Sequence, residues 1–205
     1  MKGQDGRLGQ AFIDAYWDGR LFGNTFLEEG GSDSIRSGVA HFGVGVSIAP
    51  IEIEFSTWTS KSGVEAGKDR GMAPMAFRVV KHGLYAVPFF VNPSFAHKTG
   101  CEKVDVDLML HLLKHSYANT RSVVRTMVEV VHAHTLTHKS RAGSVSDFAF
   151  IDALMPRRKS TPEKTPESLA DYVIPQWKGG VENQSIREGS LTKFADCGEY
   201  KDYVL

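Results

Sequence analysis

An α+β fold is predicted for this chain of 205 residues, and three observations predict it. Residues 40–48 alternate with a strand's period of two, and the segment after Asp105 carries apolar residues at a helix's spacing. Between them lies a second strand-like run, Val79 to Val91, so helical and extended segments interleave along one chain. The length sets a single-domain prior, and a hydrophobic fraction of 41% with 23% charged residues is enough for one sizeable core.

Taken in order, the first element is a helix over about residues 7–18, with Leu8, Phe12, Ile13 and Trp17 on one face and Gly19 as its stop. Residues 28–34 (EEGGSDS) form a polar, glycine-bearing loop. Ala40, Phe42, Val44, Val46 and Ile48 then alternate with His41, Gly43, Gly45 and Ser47. After Pro50 the apolar set shifts to Ile51, Ile53 and Phe55, a slip of one residue that predicts a bulge or bend there. Ser56 to Phe77 shows little periodicity and reads as an insertion between strands. The next strand places Tyr85, Val87, Phe89 and Val91 on one face, and Asn92-Pro93 is a helix start with Asn as cap. From Asp105, the positions Val106, Met109, Leu110, Leu113 and Tyr117 follow helical spacing. A strand over Met127–His138 and a short helix from Ser144 to Leu154 complete the pattern. The Pro156-to-Ser168 stretch reads as an exposed loop, and the tail from Lys178 has no assigned structure.

This order is helix, strand, insertion, strand, helix, strand. It matches a ferredoxin-like strand-helix-strand-strand-helix-strand domain from its second element onward, with the first strand absent or supplied elsewhere.

Composition closes several routes. The formal net charge is zero, from 24 basic and 24 acidic residues, so any affinity for nucleic acid must come from local clustering. Cys101 and Cys197 stand far apart and read as reduced thiols, with no disulfide or zinc framework, which fits a cytoplasmic protein. No apolar run is long enough for a membrane span, and the N-terminus lacks a signal-peptide core. Neither a Gly-x-Ser-x-Gly elbow nor a Walker loop is present, so no catalytic residue and no cofactor are assigned. His132, His134 and His138 share a strand face, yet no carboxylate or cysteine lies at matching spacing; hydrogen-bonded structural histidines are expected, with no metal.

Several runs remain to be explained: Asp18-Gly19-Arg20-Leu21-Phe22-Gly23, Ile35-Arg36-Ser37-Gly38, Ala49-Pro50-Ile51, Arg70-Gly71-Met72, His82-Gly83-Leu84-Tyr85, Lys98-Thr99-Gly100 and Ser168-Leu169-Ala170-Asp171-Tyr172. In order and spacing they resemble the backbone subunit of type I CRISPR Cascade complexes, a crRNA-binding member of the RAMP superfamily, and most closely its type I-C form. The resemblance spans about residues 14–175. It implies a modified ferredoxin-like (RRM-like) palm over residues 1–175 with a thumb inserted at about 56–78, followed by an extension over 176–205. It further implies copies of the chain stacked along crRNA, other Cascade subunits as partners, target DNA recognised through guide pairing, and no enzymatic activity.

The residues give that expectation local content. The insertion, at 22 residues, far exceeds the roughly 2–5 of an ordinary hairpin connection. Residues 56–82 carry a charge of +3, with Lys61, Lys68 and Arg70 among the cations and Trp58 and Met72 interleaved to wedge against bases. Ser34 and Arg36 lie in a turn before Gly38 suited to holding a phosphate. His82 joins this set through the resemblance. Arg20, between Asp18 and an apolar pair, is either an RNA contact or a structural ion pair. Two alternatives stand beside the scaffold reading: a metal-dependent ribonuclease using the histidine face or Asp33, and a split subunit that completes its sheet with a partner's strand.

Overall fold

The computed structural model describes residues 14–25, 35–60, 73–122, 124–125, 127–159, 164–175 and 197–204. Among them helices and antiparallel strand pairs are mixed, as an α+β fold requires.

Helix α1 spans Trp17–Phe22. It runs through Gly19, which is buried against the core and leaves room for close packing. The helix ends at Gly23 instead, whose φ of 83° a side chain would disfavour. The predicted stop at Gly19 is therefore four residues early, and residues 7–13 lie outside the described segments. Strand β1 (Gly23–Thr25) pairs antiparallel with β2 (Ile35–Ser37).

The chain then forms one long, interrupted antiparallel hairpin. Its outgoing arm is β3 (Ala40–Phe42), β4 (Val46–Ser47) and β5 (Ile53–Ser60). Its returning arm is β6 (Ala73–Val80), β7 (Tyr85–Ala86) and β8 (Phe89–Val91). Ala40 faces Val91, Val46 faces Ala86, and Ile53 faces Val80. Between successive pairings the outgoing arm uses one residue more than the returning arm, first around Gly43–Gly45 and again around Ile48–Glu52. The second extra residue is the slip predicted at Pro50, and each one adds local twist and a bend. Pairing continues to Ser60 opposite Ala73, so residues 56–60 and 73–77 belong to the ladder and not to an aperiodic insertion. Where burial is described there, Ser56 and Phe77 are half-buried and Thr57 and Ala76 exposed, a contrast too slight to enforce alternation.

Asn92 caps the next turn, its side chain accepting from the Ser94 N–H at 3.0 Å, with Pro93 at the first position. Helix α2 (Ala96–Thr99) closes on Gly100 in the left-handed conformation at φ 71°. Helix α3 (Lys103–Leu112) begins two residues before the predicted Asp105, because Glu102 and Asp105 form a capping box around its first turn. Of the predicted strand Met127–His138 only β9 (His134–His138) is laddered. Its partner comes from the unassigned tail: β12 (Gly198–Asp202), with His134 facing Asp202. Helix α4 (Asp147–Leu154) is capped by Ser146, and β10 (Arg157–Arg158) pairs with β11 (Tyr172–Val173), which places the predicted loop's first arginines in a strand.

The main core joins Leu21, Ala40, Met109 and Leu110, with Trp17, Phe89, Cys101, Val106, Leu113 and Tyr203 packed around them. Leu21 is fully buried, worth about 2 kcal/mol by area. A second cluster joins Ala49, Leu84 and Tyr172, and a third sets Phe150 and Leu154 of α4 against Tyr200 of β12.

Gly38 is where β2 meets α1: a Cβ there would lie 2.2 Å from the Phe22 carbonyl carbon and 2.3 Å from the Leu21 oxygen. Both contacts are backbone and cannot rotate away. At Gly45 the nearest atom is a side-chain methyl of Val87 at 3.2 Å, which yields easily. Thermal unfolding of Gly38→Ala is therefore expected to show a loss of about 3 kcal/mol, with Gly45→Ala within about 1 kcal/mol of the parent. Equal midpoints for the two variants would contradict this packing.

Candidate nucleic-acid interface

Six of the seven sequence runs singled out above converge on two joints, and the seventh, Arg70-Gly71-Met72, lies outside the described residues. At the first, the Arg20 guanidinium grips Asp105 bidentately, Nε to Oδ2 at 2.9 Å and Nη2 to Oδ1 at 2.6 Å, while Nη1 reaches the Asp14 carbonyl at 3.3 Å. The Asp105 side chain is only 4% exposed, and Oδ2 also accepts the Glu102 N–H at 3.0 Å. Hydrogen bonding to Arg20 holds the Asp105 carboxyl below the usual carboxylate range against the opposing effect of burial. Around this pair, the Val39 N–H donates to the Leu21 carbonyl at 2.7 Å, and the buried Thr99 of α2 orders the turn into Cys101. Of the two roles left open for Arg20, this geometry supports the structural ion pair.

The second joint brings Ala49-Pro50-Ile51, His82-Gly83-Leu84-Tyr85 and Ser168–Tyr172 together. Leu84, Ala49 and Tyr172 pack as one cluster, the Ile48 N–H donates to the Leu84 carbonyl at 2.8 Å, and the His82 ring lies 5.9 Å from that of Tyr172. Asp171 accepts from the N–H groups of Glu167 and Ser168, both at 2.9 Å, which lowers its carboxyl and fixes the turn before β11. His82 is half-buried, and its Nε2 is buried with no hydrogen-bond partner among the described residues.

Arg36 and Trp58 are placed by backbone register alone, opposite Asn24 and Met75. Ser34, Lys61, Lys68, Arg70, Met72 and Asp33 lie outside the described residues. The hairpin that carries the insertion contributes a feature the sequence did not single out. Phe55 and Arg78 sit directly opposite each other on β5 and β6, with the guanidinium carbon 5.3 Å from the ring centroid. Phe55 is 70% exposed and Ile53 is 47% exposed beside it. A guanidinium laid on an open aromatic face is a surface on which a base can stack while a phosphate finds a charge. Only the register across the hairpin pairs these two, so neither residue's own neighbourhood in sequence could have shown it.

The histidine strand is also completed from a distance. Asp202 of β12 turns Oδ2 toward His132 Nδ1 at 2.6 Å and His134 Nδ1 at 3.7 Å, while Oδ1 accepts from the N–H groups of Ala133 at 3.1 Å and Val204 at 3.0 Å. Burial pushes the His134 imidazole down to about 4, so it is neutral at neutral pH. The carboxylate judged missing from the sequence is present, contributed by a residue 70 positions from His132. His138 turns instead to Ser144 and Asp147, each at 3.0 Å.

The family model described as CRISPR-associated protein Cas7 matches residues 2–176. Among solved structures, the chain is similar to one from a "CRISPR RNA-guided surveillance complex, pre-nicking", at 14% identity and a TM-score of 0.44. The match covers 65% of this chain and 37% of the other, so the chain spans little more than a third of that protein's length. No curated protein matches the chain.

Replacing Arg20 by Ala strands a nearly buried carboxylate and is expected to cost about 3–5 kcal/mol in denaturant unfolding. Because Asp105 is depressed in the folded chain, the pair's contribution is present above about pH 4, where an unfolded carboxyl is ionised, and is lost as pH falls through the folded value. The wild type should therefore show an acid limb below about pH 4 that is smaller in Arg20→Ala. Identical acid limbs would remove the pair from this role.

Proposed function

Since the chain belongs to the CRISPR-associated Cas7 family, as the match over residues 2–176 of 205 shows, we propose that it is a guide-RNA-binding scaffold. In this reading it oligomerises along crRNA within a type I surveillance complex and recognises target DNA through guide pairing. The observation that carries the RNA contact is the open Phe55–Arg78 pair on the β5–β6 hairpin, whose strands lead directly into the basic run Lys61 to Arg70. That hairpin is the thumb in this proposal. The palm is the remainder of residues 1–175, with α3 packed on the hairpin's root, joined by β12 and Tyr203 from the extension through β9 and the main core. The type I-C form is the finer assignment we favour, on the ordered sequence runs.

We assign the chain no catalytic step. Its partners in this proposal are crRNA, further copies of itself, the other subunits of the complex and, through the guide, target DNA. Described residues include no helix long and apolar enough to cross a membrane, and a place in a cytoplasmic ribonucleoprotein is proposed on the same family grounds.

Fluorescence anisotropy with a single-stranded RNA of about 30 nucleotides tests the reading. Binding at low salt should weaken steeply as salt rises, and Phe55→Ala should reduce affinity by about tenfold, the loss of one stacked base. Arg78→Ala should also lower the slope of log affinity against log salt by about 0.7, one phosphate contact on a single strand. A folded wild type with no RNA association at low salt would overturn the scaffold; unchanged affinity in both variants would move the contact off this hairpin.

A further inference from the structure

We propose that His132, His134 and Asp202 form a structural site for a divalent transition metal of the zinc type, pinning the C-terminal strand β12 to β9. Three potential ligand atoms from two strands lie within 4.8 Å of one another in this cluster. The two imidazoles come from alternate positions of one extended segment, so they leave the same face. Their rings are nearly parallel, 5.1 Å apart at 14°, which sends both Nδ1 atoms toward the same carboxylate oxygen. The other oxygen of Asp202 is held by two backbone N–H groups, so the carboxylate cannot turn away.

The two histidine-to-carboxylate separations bracket the spacing a metal requires. Ligand atoms around a tetrahedral zinc stand about 3.3 Å apart, given metal–ligand bonds of about 2.0–2.1 Å. His134 Nδ1 to Asp202 Oδ2 is 3.7 Å, beyond a hydrogen bond, and His132 Nδ1 to the same oxygen is 2.6 Å, a hydrogen bond. A metal ion would draw in the first and lengthen the second, taking the place of the proton between His132 and Asp202, with each imidazole carrying its ring proton on Nε2. The Tyr200 hydroxyl, 2.8 Å from His134 Nδ1, or a water supplies the fourth position.

Two imidazoles with one carboxylate suit zinc, cobalt or iron and disfavour magnesium or calcium, which prefer oxygen alone. The side chains are 9%, 15% and 5% exposed, and Tyr200 packs beneath Phe150 and Leu154 of α4. Ligands held to this depth on two paired segments suit a structural metal. Its effect is to cross-link positions 70 residues apart and hold Tyr203, the next residue after β12, in the main core.

The test uses the full chain without a polyhistidine tag, stripped with chelator and titrated with Co2+, then with Zn2+ in competition. One equivalent of Co2+ should give a visible ligand-field band that Zn2+ removes. At zinc a hundredfold above its Kd, the unfolding midpoint should rise by about 5–10 °C. Asp202→Asn and His132→Ala should lose both the band and the shift. The double variant His111→Ala/His115→Ala, which removes the other neighbouring histidine pair, should keep both. Absence of one-equivalent binding by the wild type overturns the site whatever the variants do. So does undiminished binding by Asp202→Asn, or loss of binding in the His111/His115 variant.

Discussion

The Arg20–Asp105 pair is the constraint on which the remaining geometry depends. Taking a carboxylate to 4% exposure costs several kcal/mol, and only a partner with matched geometry offsets it. Arg20 supplies two parallel hydrogen bonds, while the backbone N–H of Glu102 supplies a third. Because Asp105 is also the third residue of α3, the same side chain caps one helix and clamps another. The position of α1 is thereby fixed against α3, with Leu21 in the core and its carbonyl aimed at the Val39 N–H. From that hydrogen bond the long hairpin begins, so an ion pair between residues 85 apart sets the direction in which the hairpin leaves the core.

Away from this root the hairpin has little to rest on. Ala40 is buried, but Phe42, Val44, Val46 and Phe55, on the same arm, are 43%, 82%, 63% and 70% exposed. Two-stranded ribbons are marginal in water by themselves, and here every ladder among the described residues is two-stranded. Its stability comes from the anchored end, from the Phe42–Phe89 stack at 5.1 Å, and from the Lys81–Glu52 contact where the arms bend. A row of open apolar side chains beyond that anchor is what the proposed scaffold would cover with RNA and with further copies of itself.

The sequence made some of this legible and hid the rest for definable reasons. Alternation showed the strands from Ala40 to Ile53 and the bulge at Pro50, because a phase slip is a local property of the chain. The apolar spacing of α3 was readable for the same reason. Where the two faces of a ribbon differ little in burial, as at Ser56 and Thr57, period two is not enforced and the strand went unseen. Long-range completion was invisible altogether: Asp202 for the histidine strand, Asp105 for Arg20, Arg78 for Phe55. The described runs that carried the family resemblance are joints, where Gly38 meets α1 and where His82, Leu84 and Tyr172 pack. Such positions tolerate few residue types, so they mark the family without naming the atoms that touch RNA.

That distinction also resolves the zero net charge. A sum over residues weighs each charge alike, whereas RNA responds to those that face it. Asp105 is neutralised by Arg20, Asp202 is turned toward two histidines and two backbone N–H groups, and Asp171 is folded into the turn before β11. These carboxylates balance the formula while presenting little field to the outside. Arg20 is subtracted on the basic side by the same logic, since its nitrogens are used within the protein. What remains for a polyanion is set by position: Arg78 lies open on the ribbon, and Lys61, Lys68 and Arg70 follow within the connection between its strands. In the proposed scaffold, with so few cations in one place, stacking contributes a large part of the affinity per copy. Repetition of copies along one strand then multiplies a contact that is weak alone.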